Sequence, residues 1–204
     1  MAKEKNLIMA LMMAMLPAVC AFAQERNWEH NVYVAGGLLI DREWGKNETG
    51  VSMKLGYGLN YNFTEQWSIM SGLAIRRDAE HFFSSELYGE DSDDFLFLDI
   101  PVLMQFHASR WTFGLGPVFS FCIVNDSYHK DRVDSPYTEL NGNDKIKNFY
   151  FSLQPCVRYH ISRHFWLGVE GNIGLMNVNK TYALPIPFSD KYLHNVMAVV
   201  GIRL

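Results

Sequence analysis

From Val51 to Phe63 the chain alternates at every position. Val51, Met53, Leu55, Tyr57, Leu59, Tyr61 and Phe63 are large and mostly apolar, while Ser52, Lys54, Gly56, Gly58, Asn60 and Asn62 are small or polar. Side chains of a β-strand point alternately to two faces, so this period predicts a strand with one oily face and one wet face. The pattern recurs and predicts strands near 30–40, 50–63, 67–77, 95–107, 111–124, 148–161, 164–178 and 192–204. The connections alternate as well. Thr64-Glu65-Gln66, Ala108-Ser109-Arg110 and Ser162-Arg163 are short turns, and longer polar segments lie at about 41–49, 78–94, 125–147 and 179–191. Short and long connections alternating along an even number of strands predict an all-β fold, an eight-stranded antiparallel up-and-down transmembrane β-barrel. Its short turns and both chain ends lie on the periplasmic side, with the long loops outside.

A soluble barrel of lipocalin type, a carrier of hydrophobic molecules, has as many strands but turns its oily face inward. Its outer face is then water-exposed and rich in charge. Here the less oily face is small and lightly charged: Gly56 and Gly58; Thr112, Gly114, Gly116 and Ser120; Gly168, Asn172 and Gly174. Such residues suit the cramped interior of an eight-stranded barrel. The opposite face runs Trp111, Phe113, Leu115, Pro117, Phe119, Phe121, Ile123 on one strand and Phe149, Phe151, Leu153, Pro155, Val157, Tyr159 on the next. Facing water those rows aggregate; facing lipid they are what a bilayer requires. The final strand repeats the rule, with Val196, Ala198, Val200, Ile202 and Leu204 outward. Around the turns, YNFTEQWSI (61–69), YHISRHFWL (159–167) and FHASRWTFG (106–114) resemble one another. Each re-enters its strand on an aromatic residue, Trp67, Phe165 or Trp111, as a belt at the headgroup level predicts.

The N-terminus carries Lys3 and Lys5, an apolar run from Leu7 to Leu16, Pro17, and an A-x-A site at Ala21-Phe22-Ala23. These predict a cleaved secretory signal peptide over 1–23 and one barrel domain over 24–204. Cys20 raises a lipoprotein alternative that Pro17 and Val19 fit poorly. The whole chain has a formal charge of −4, with no basic excess for nucleic acid. No run past the leader approaches the ~20 apolar residues of a membrane-spanning helix, so spanning has to be done by strands.

FLDIPVLMQFH (Phe97–His107) resembles the LxIPLLxxY strand of the PorT-like outer-membrane β-barrel family of Bacteroidota, a family of the OmpA/OmpX barrel shape. As in that family, a glycine-rich strand follows, FGLGPVFSF (Phe113–Phe121), and the chain ends in a strand like VVGIRL. The resemblance implies fold and location only. The family's namesake takes part in type IX secretion, a role to which no residue here ties this chain. Pro101, Pro117 and Pro155 fall inside strands, where a missing N–H predicts bulges or bends.

On the inward face lie Lys54, Arg76, Asp99, Arg158, Glu170 and Arg203. Ions in a narrow lumen have to pair, so Asp99 and Glu170 against Lys54, Arg158 and Arg203 predict a polar plug. The loop from Asp78 to Asp94 carries Asp78, Glu80, Glu86, Glu90, Asp91, Asp93 and Asp94 without a Lys. It has no Arg either, and GEDSDD (Gly89–Asp94) is dense in oxygen ligands but lacks calcium-loop spacing, so the segment reads as a solvated acidic loop able to contact cations loosely. No metal site or cofactor is predicted. His81, Ser84, Ser85, His129 and Asp131 occupy loop positions of a rim enzyme acting on lipid, yet no catalytic motif accompanies them. With Cys122 opposite about Tyr150, Cys122 and Cys156 are too far apart to bridge. The reading is a monomeric, non-enzymatic barrel of the bacterial outer membrane that acts through its loops. Its expected partners are outer-membrane lipid and lipopolysaccharide, the barrel-assembly machinery and an unidentified protein. A rim enzyme, a narrow pore and a secretion-system accessory are the alternatives.

Overall fold

The computed structural model describes residues 27–43, 46–81, 90–130, 146–178 and 191–204. The predicted leader over 1–23 lies outside them. Eight strands close into one antiparallel barrel in chain order: β1 (Trp28–Glu43), β2 (Lys46–Asn62), β3 (Trp67–His81), β4 (Glu90–Ala108), β5 (Trp111–Lys130), β6 (Phe149–His160), β7 (Phe165–Gly174) and β8 (Tyr192–Arg203). β8 pairs with β1 from Asn31↔Arg203 to Arg42↔Tyr192, leaving no open sheet edge.

The faces fall as the alternation predicts. Val34, Leu38, Met53 and Ile123 are more than half exposed on the outside, whereas Ser52, Lys54, Gly56, Gly58 and Asn60 turn inward. At the short-turn end, Trp28 packs at a tilt on Tyr61 (4.8 Å between ring centroids), Trp67 on Phe106 (5.0 Å) and Trp111 on Tyr159 (4.9 Å). These pairs form the aromatic belt. From Trp67 to Arg77, eleven residues of tilted strand rise roughly 25 Å, the height of the apolar band.

Two expectations need correction. The segments 78–94 and 125–147 are not all loop: β3 continues to His81, β4 starts at Glu90 and β5 runs to Lys130. The ladder continues there through residues polar at both parities, so the apolar alternation that betrays a strand disappears. The in-strand prolines do not shift register either. Pairing lapses opposite Pro101 between β3 and β4, and opposite Pro155 between β6 and β7, and then resumes in the same register. The register shift lies between Leu96 and Phe97, where β5 carries the extra residue Ile123. Ser120, not Cys122, sits opposite Tyr150, and Cys156 pairs with Gly114. The β5–β6 connection is long, so no tight turn sets this register in advance. Cys122 and Cys156 form no disulfide with each other.

Large inward rings fill the lumen because glycines face them. A Cβ on Gly56 would enter the ring of Tyr33, and one on Gly201 would enter Trp166. Trp166, Tyr33, Met70 and Phe97 are all buried inside the barrel.

Candidate functional site

Alternation along β2, β3, β4 and β7 brings Lys54, Arg76, Asp99 and Glu170 to one level of the lumen. Lys54 Nζ donates to Glu170 Oε1 at 2.6 Å and lies 4.0 Å from Asp99 Oδ2. Arg76 Nε donates to Asp99 Oδ2 at 2.8 Å, and the same guanidinium bonds Asp78 and the Tyr150 hydroxyl. Neutral donors complete the carboxylates. Ser120 Oγ reaches Asp99 Oδ1 at 2.7 Å, Gln154 Nε2 reaches Glu170 Oε2 at 2.9 Å, and Ser52 Oγ reaches Asp78 Oδ1 at 2.5 Å. The side chains of Lys54, Arg76, Asp78, Asp99 and Glu170 are each at most 1% exposed. The Arg76 guanidinium also stands 4.6 Å from the centre of the Phe97 ring.

Apolar layers flank this network. On the extracellular side Leu39, Phe95, Phe97, Ile146, Tyr150, Val178 and Leu193 form one cluster. Toward the periplasm lie Tyr33, Ala35, Ala74, Trp166, Met197 and Val199, together with Met70, Leu103 and Cys156. The ions therefore sit between two dry layers, and their paired geometry offsets the desolvation that such a position imposes.

Two predicted members of the network stand elsewhere. Arg158 is buried, but its described partners are Met70 Sδ at 3.3 Å and the Trp166 ring at 4.5 Å. Arg203 lies at the periplasmic mouth, with its Nε 3.2 Å from Glu29 Oε2. Neither meets Asp99 or Glu170 as expected, because each lies closer to the periplasmic end of its strand. Conversely, Asp78 belongs to the lumen and not to an acidic loop. It shares strand parity with Arg76 and Ala74, a signal present in the sequence but masked by the run of acids that follows. Glu80, Glu90, Asp91, Asp93 and Asp94 are strand residues, and Glu86 lies outside the described residues. Asp94 pairs with Arg77 on the outer face, accepting from Nε at 2.9 Å. The side chains of His81, Ser84, Ser85, His129 and Asp131 lie outside the described residues. Among the described residues no His, Cys, Asp and Glu group converges as metal ligands do.

A second polar constellation, missed in the sequence, occupies the periplasmic mouth on the inward face, level with the aromatic belt. Ser68 Oγ donates to Gln105 Oε1 at 3.2 Å and lies 2.7 Å from His107 Nε2. His107 Nδ1 is 2.9 Å from Thr112 Oγ1, which is 3.0 Å from His160 Nε2. With neutral rings the directions follow. Ser68 gives its proton to Gln105, so it accepts from His107 Nε2–H; bare His107 Nδ1 then accepts from Thr112, and Thr112 accepts from His160 Nε2–H. His160 Nδ1 is left as the one ring nitrogen of the pair without an assigned partner in this chain of bonds.

The sequence profile of the family described as "Outer membrane protein beta-barrel domain" matches residues 21–180. No functionally curated protein sequence matches the chain. Among solved structures, Neisserial surface protein A resembles it with a TM-score of 0.53 at 12% identity, over 86% of this chain and 97% of that one. Ail, the attachment invasion locus protein of Yersinia pestis, gives 0.44 at 12% identity, over 87% and 99%. OprG from Pseudomonas aeruginosa gives 0.41 at 13% identity, over 87% and 97%. At these identities the first likeness speaks for the fold alone.

Proposed function

We propose, from the premise that this chain belongs to the outer membrane protein β-barrel domain family, that its lumen is plugged and that it acts without catalysis, as a structural and interaction protein, through its extracellular loops. The fold and the outer-membrane location stand on the family match and the closed eight-stranded barrel. The observation that carries the plugged reading is the buried network Lys54–Glu170–Asp99–Arg76–Asp78, closed between apolar clusters on both sides. A hydrated channel needs a continuous polar wall, whereas here Met70, Leu103 and Cys156 interrupt it toward the periplasm. The loop-borne role is supported by β4 and β5, which at 19 and 20 residues exceed the ~11 that span a bilayer. From the Phe106 level β4 continues far beyond the apolar band, so the loops stand on a paired, projecting platform. On this reading the barrel is a monomer that meets lipopolysaccharide at its outer rim, the assembly machinery on insertion, and a protein partner at the loops.

The test is conductance of the refolded full chain in planar bilayers. The expected result is no stepwise current above the lipid background. Reproducible single-channel steps that change with Asp99→Asn or Arg158→Gln overturn the plugged reading in favour of a narrow pore.

A further inference from the structure

The periplasmic end of the barrel is open where the middle is filled. It forms a cavity of about 530 Å³ whose walls include Glu29, Arg110, His160, Arg163 and Arg203. That volume lies in the ~300–1,000 Å³ range of small-ligand sites.

The rim is held rigidly before any ligand arrives. His107 N–H donates to Gln66 O at 2.7 Å, His160 N–H to Arg110 O at 2.8 Å, Arg203 N–H to His164 O at 2.7 Å, and Leu204 N–H to His30 O at 2.9 Å. Each short turn is thereby tied to the neighbouring strand, and the entropy of ordering the walls is already spent.

The chemistry of the cavity is cationic although the chain is acidic overall. Three arginines, Arg110, Arg163 and Arg203, face two carboxylates, Glu29 and Glu65, and Glu29 is engaged by Arg203. Behind Thr112, which pairs with it across β5 and β6, stands Arg158. Arg158 is only 4% exposed, and the described contacts of its guanidinium are a thioether and an indole ring, not a carboxylate. A buried cation without a counter-ion favours an anion nearby. His160 adds Nδ1, which becomes a donor if a bound anion holds a proton there. Hydroxyls of Thr64, Ser109 and Ser162 complete the wall.

We propose that this periplasmic mouth binds a phosphate group. Three guanidinium forks and the hydroxyls of Thr64, Ser109 and Ser162, on the walls of one cavity, supply more donors than the two oxygens of a carboxylate accept, and they suit an oxyanion with three or four. The phosphate comes either free in the periplasm or on a phospholipid headgroup of the inner leaflet beside the turns.

The experiment uses the full chain refolded in a phosphate-free glycoside detergent, with histidine ring nitrogens observed by NMR. Inorganic phosphate is titrated at constant ionic strength against chloride. The expected result is a saturable shift at His160 and His107 with His194, at the far end of the barrel, unmoved. Arg163→Gln and Arg110→Gln each weaken the apparent Kd about tenfold, as loss of one charge-assisted bond predicts, while heat-modifiable gel mobility shows that each variant is folded. A second arm adds phosphatidylglycerol to the micelles. If it shifts the same signals and blocks inorganic phosphate, the source is the lipid; if it leaves them alone, the ligand is free phosphate. No saturable shift at His160 in either arm, or equal binding by wild type and both folded arginine variants, overturns the proposal.

Discussion

Replacing Lys54 by methionine separates a sealed lumen from a wet one by the size of the loss. Lys54 Nζ stands 2.6 Å from Glu170 Oε1 and 4.0 Å from Asp99 Oδ2, and all three side chains are at most 1% exposed. At 2.6 Å two unit charges attract by about 6 kcal/mol at an effective dielectric near 20, but by about 1.6 kcal/mol at that of water. Desolvation offsets much of the former in the intact pair. Removing one partner leaves that cost uncompensated, so Lys54→Met in a sealed barrel is expected to lose about 3–5 kcal/mol. Gln154 still donates to Glu170 at 2.9 Å, which places the loss toward the lower end of that range. Adding Glu170→Gln to Lys54→Met removes the orphaned charge and is expected to restore about 2 kcal/mol, a coupling that a double-mutant cycle reads directly. The assay is urea unfolding of the barrel in lipid vesicles, followed by the fluorescence of its tryptophans. In a water-filled lumen the pair behaves as an exposed one worth at most about 1 kcal/mol. A loss that small for Lys54→Met, with no coupling to Glu170, refutes the sealed network.

Other parts of the barrel carry their own expectations. Leu73 is outward on β3, six residues above Trp67 and so roughly mid-membrane, and Leu73→Arg is expected to lower stability by about 2–4 kcal/mol in the same vesicle assay; an unchanged midpoint would show that this face does not meet lipid. Gly56→Ala drives a methyl into the Tyr33 ring and is expected to cost about 1–3 kcal/mol. Combining it with Tyr33→Ala should cost less than the sum of the two single changes, and strict additivity would mean that the ring does not occupy that space. Ser109 holds φ at 56° in the turn between β4 and β5, where the left-handed conformation strains a side chain by about 1–2 kcal/mol. Ser109→Val is therefore expected to lower the temperature at which the unboiled gel band shifts, and Ser109→Gly to leave it level or raise it; the reverse order would count against the assigned turn.

The fold was legible wherever one face of a strand meets lipid and the other meets the lumen. There the two environments differ most, and a period of two is imposed on residues such as Val51 to Asn62. Legibility failed at both ends of that condition. On β4, Phe95, Phe97 and Leu103 are oily yet inward, because they pack in the apolar clusters that fill the lumen above and below the ion network. Alternation fades there, although Asp99 still keeps the parity. Past the apolar rows, β3, β4 and β5 continue through residues that are polar at both parities, such as Asp91, Ser92, Asp93 and Asp94, and the strands outrun their hydrophobic signal. Register was legible across the three tight turns, which set it locally. It slipped by two residues between β5 and β6, where a long connection leaves the pairing to side chains that no local pattern reveals.

The lumen was legible as a set of residues but not as a circuit. Parity says that Lys54, Arg76, Asp99, Arg158 and Glu170 all point inward. It says nothing of height, and height decides the partners. Arg76 and Asp99 meet because their strands are adjacent, and their pairing register, Ala74↔Asp99, holds them two residues apart. Lys54 and Glu170 meet across the barrel, from strands that are not neighbours. Arg158 and Arg203 fall lower, toward the periplasm, out of reach of both carboxylates. The same offset makes the mouth chemically distinct. By taking two cations out of the central plug, strand stagger leaves positive charge beside the His107–Thr112–His160 chain, at the periplasmic cavity. The sealed middle and the cationic mouth are therefore two consequences of one register, so a substitution that moved β6 or β8 along its neighbour would be expected to disturb both together.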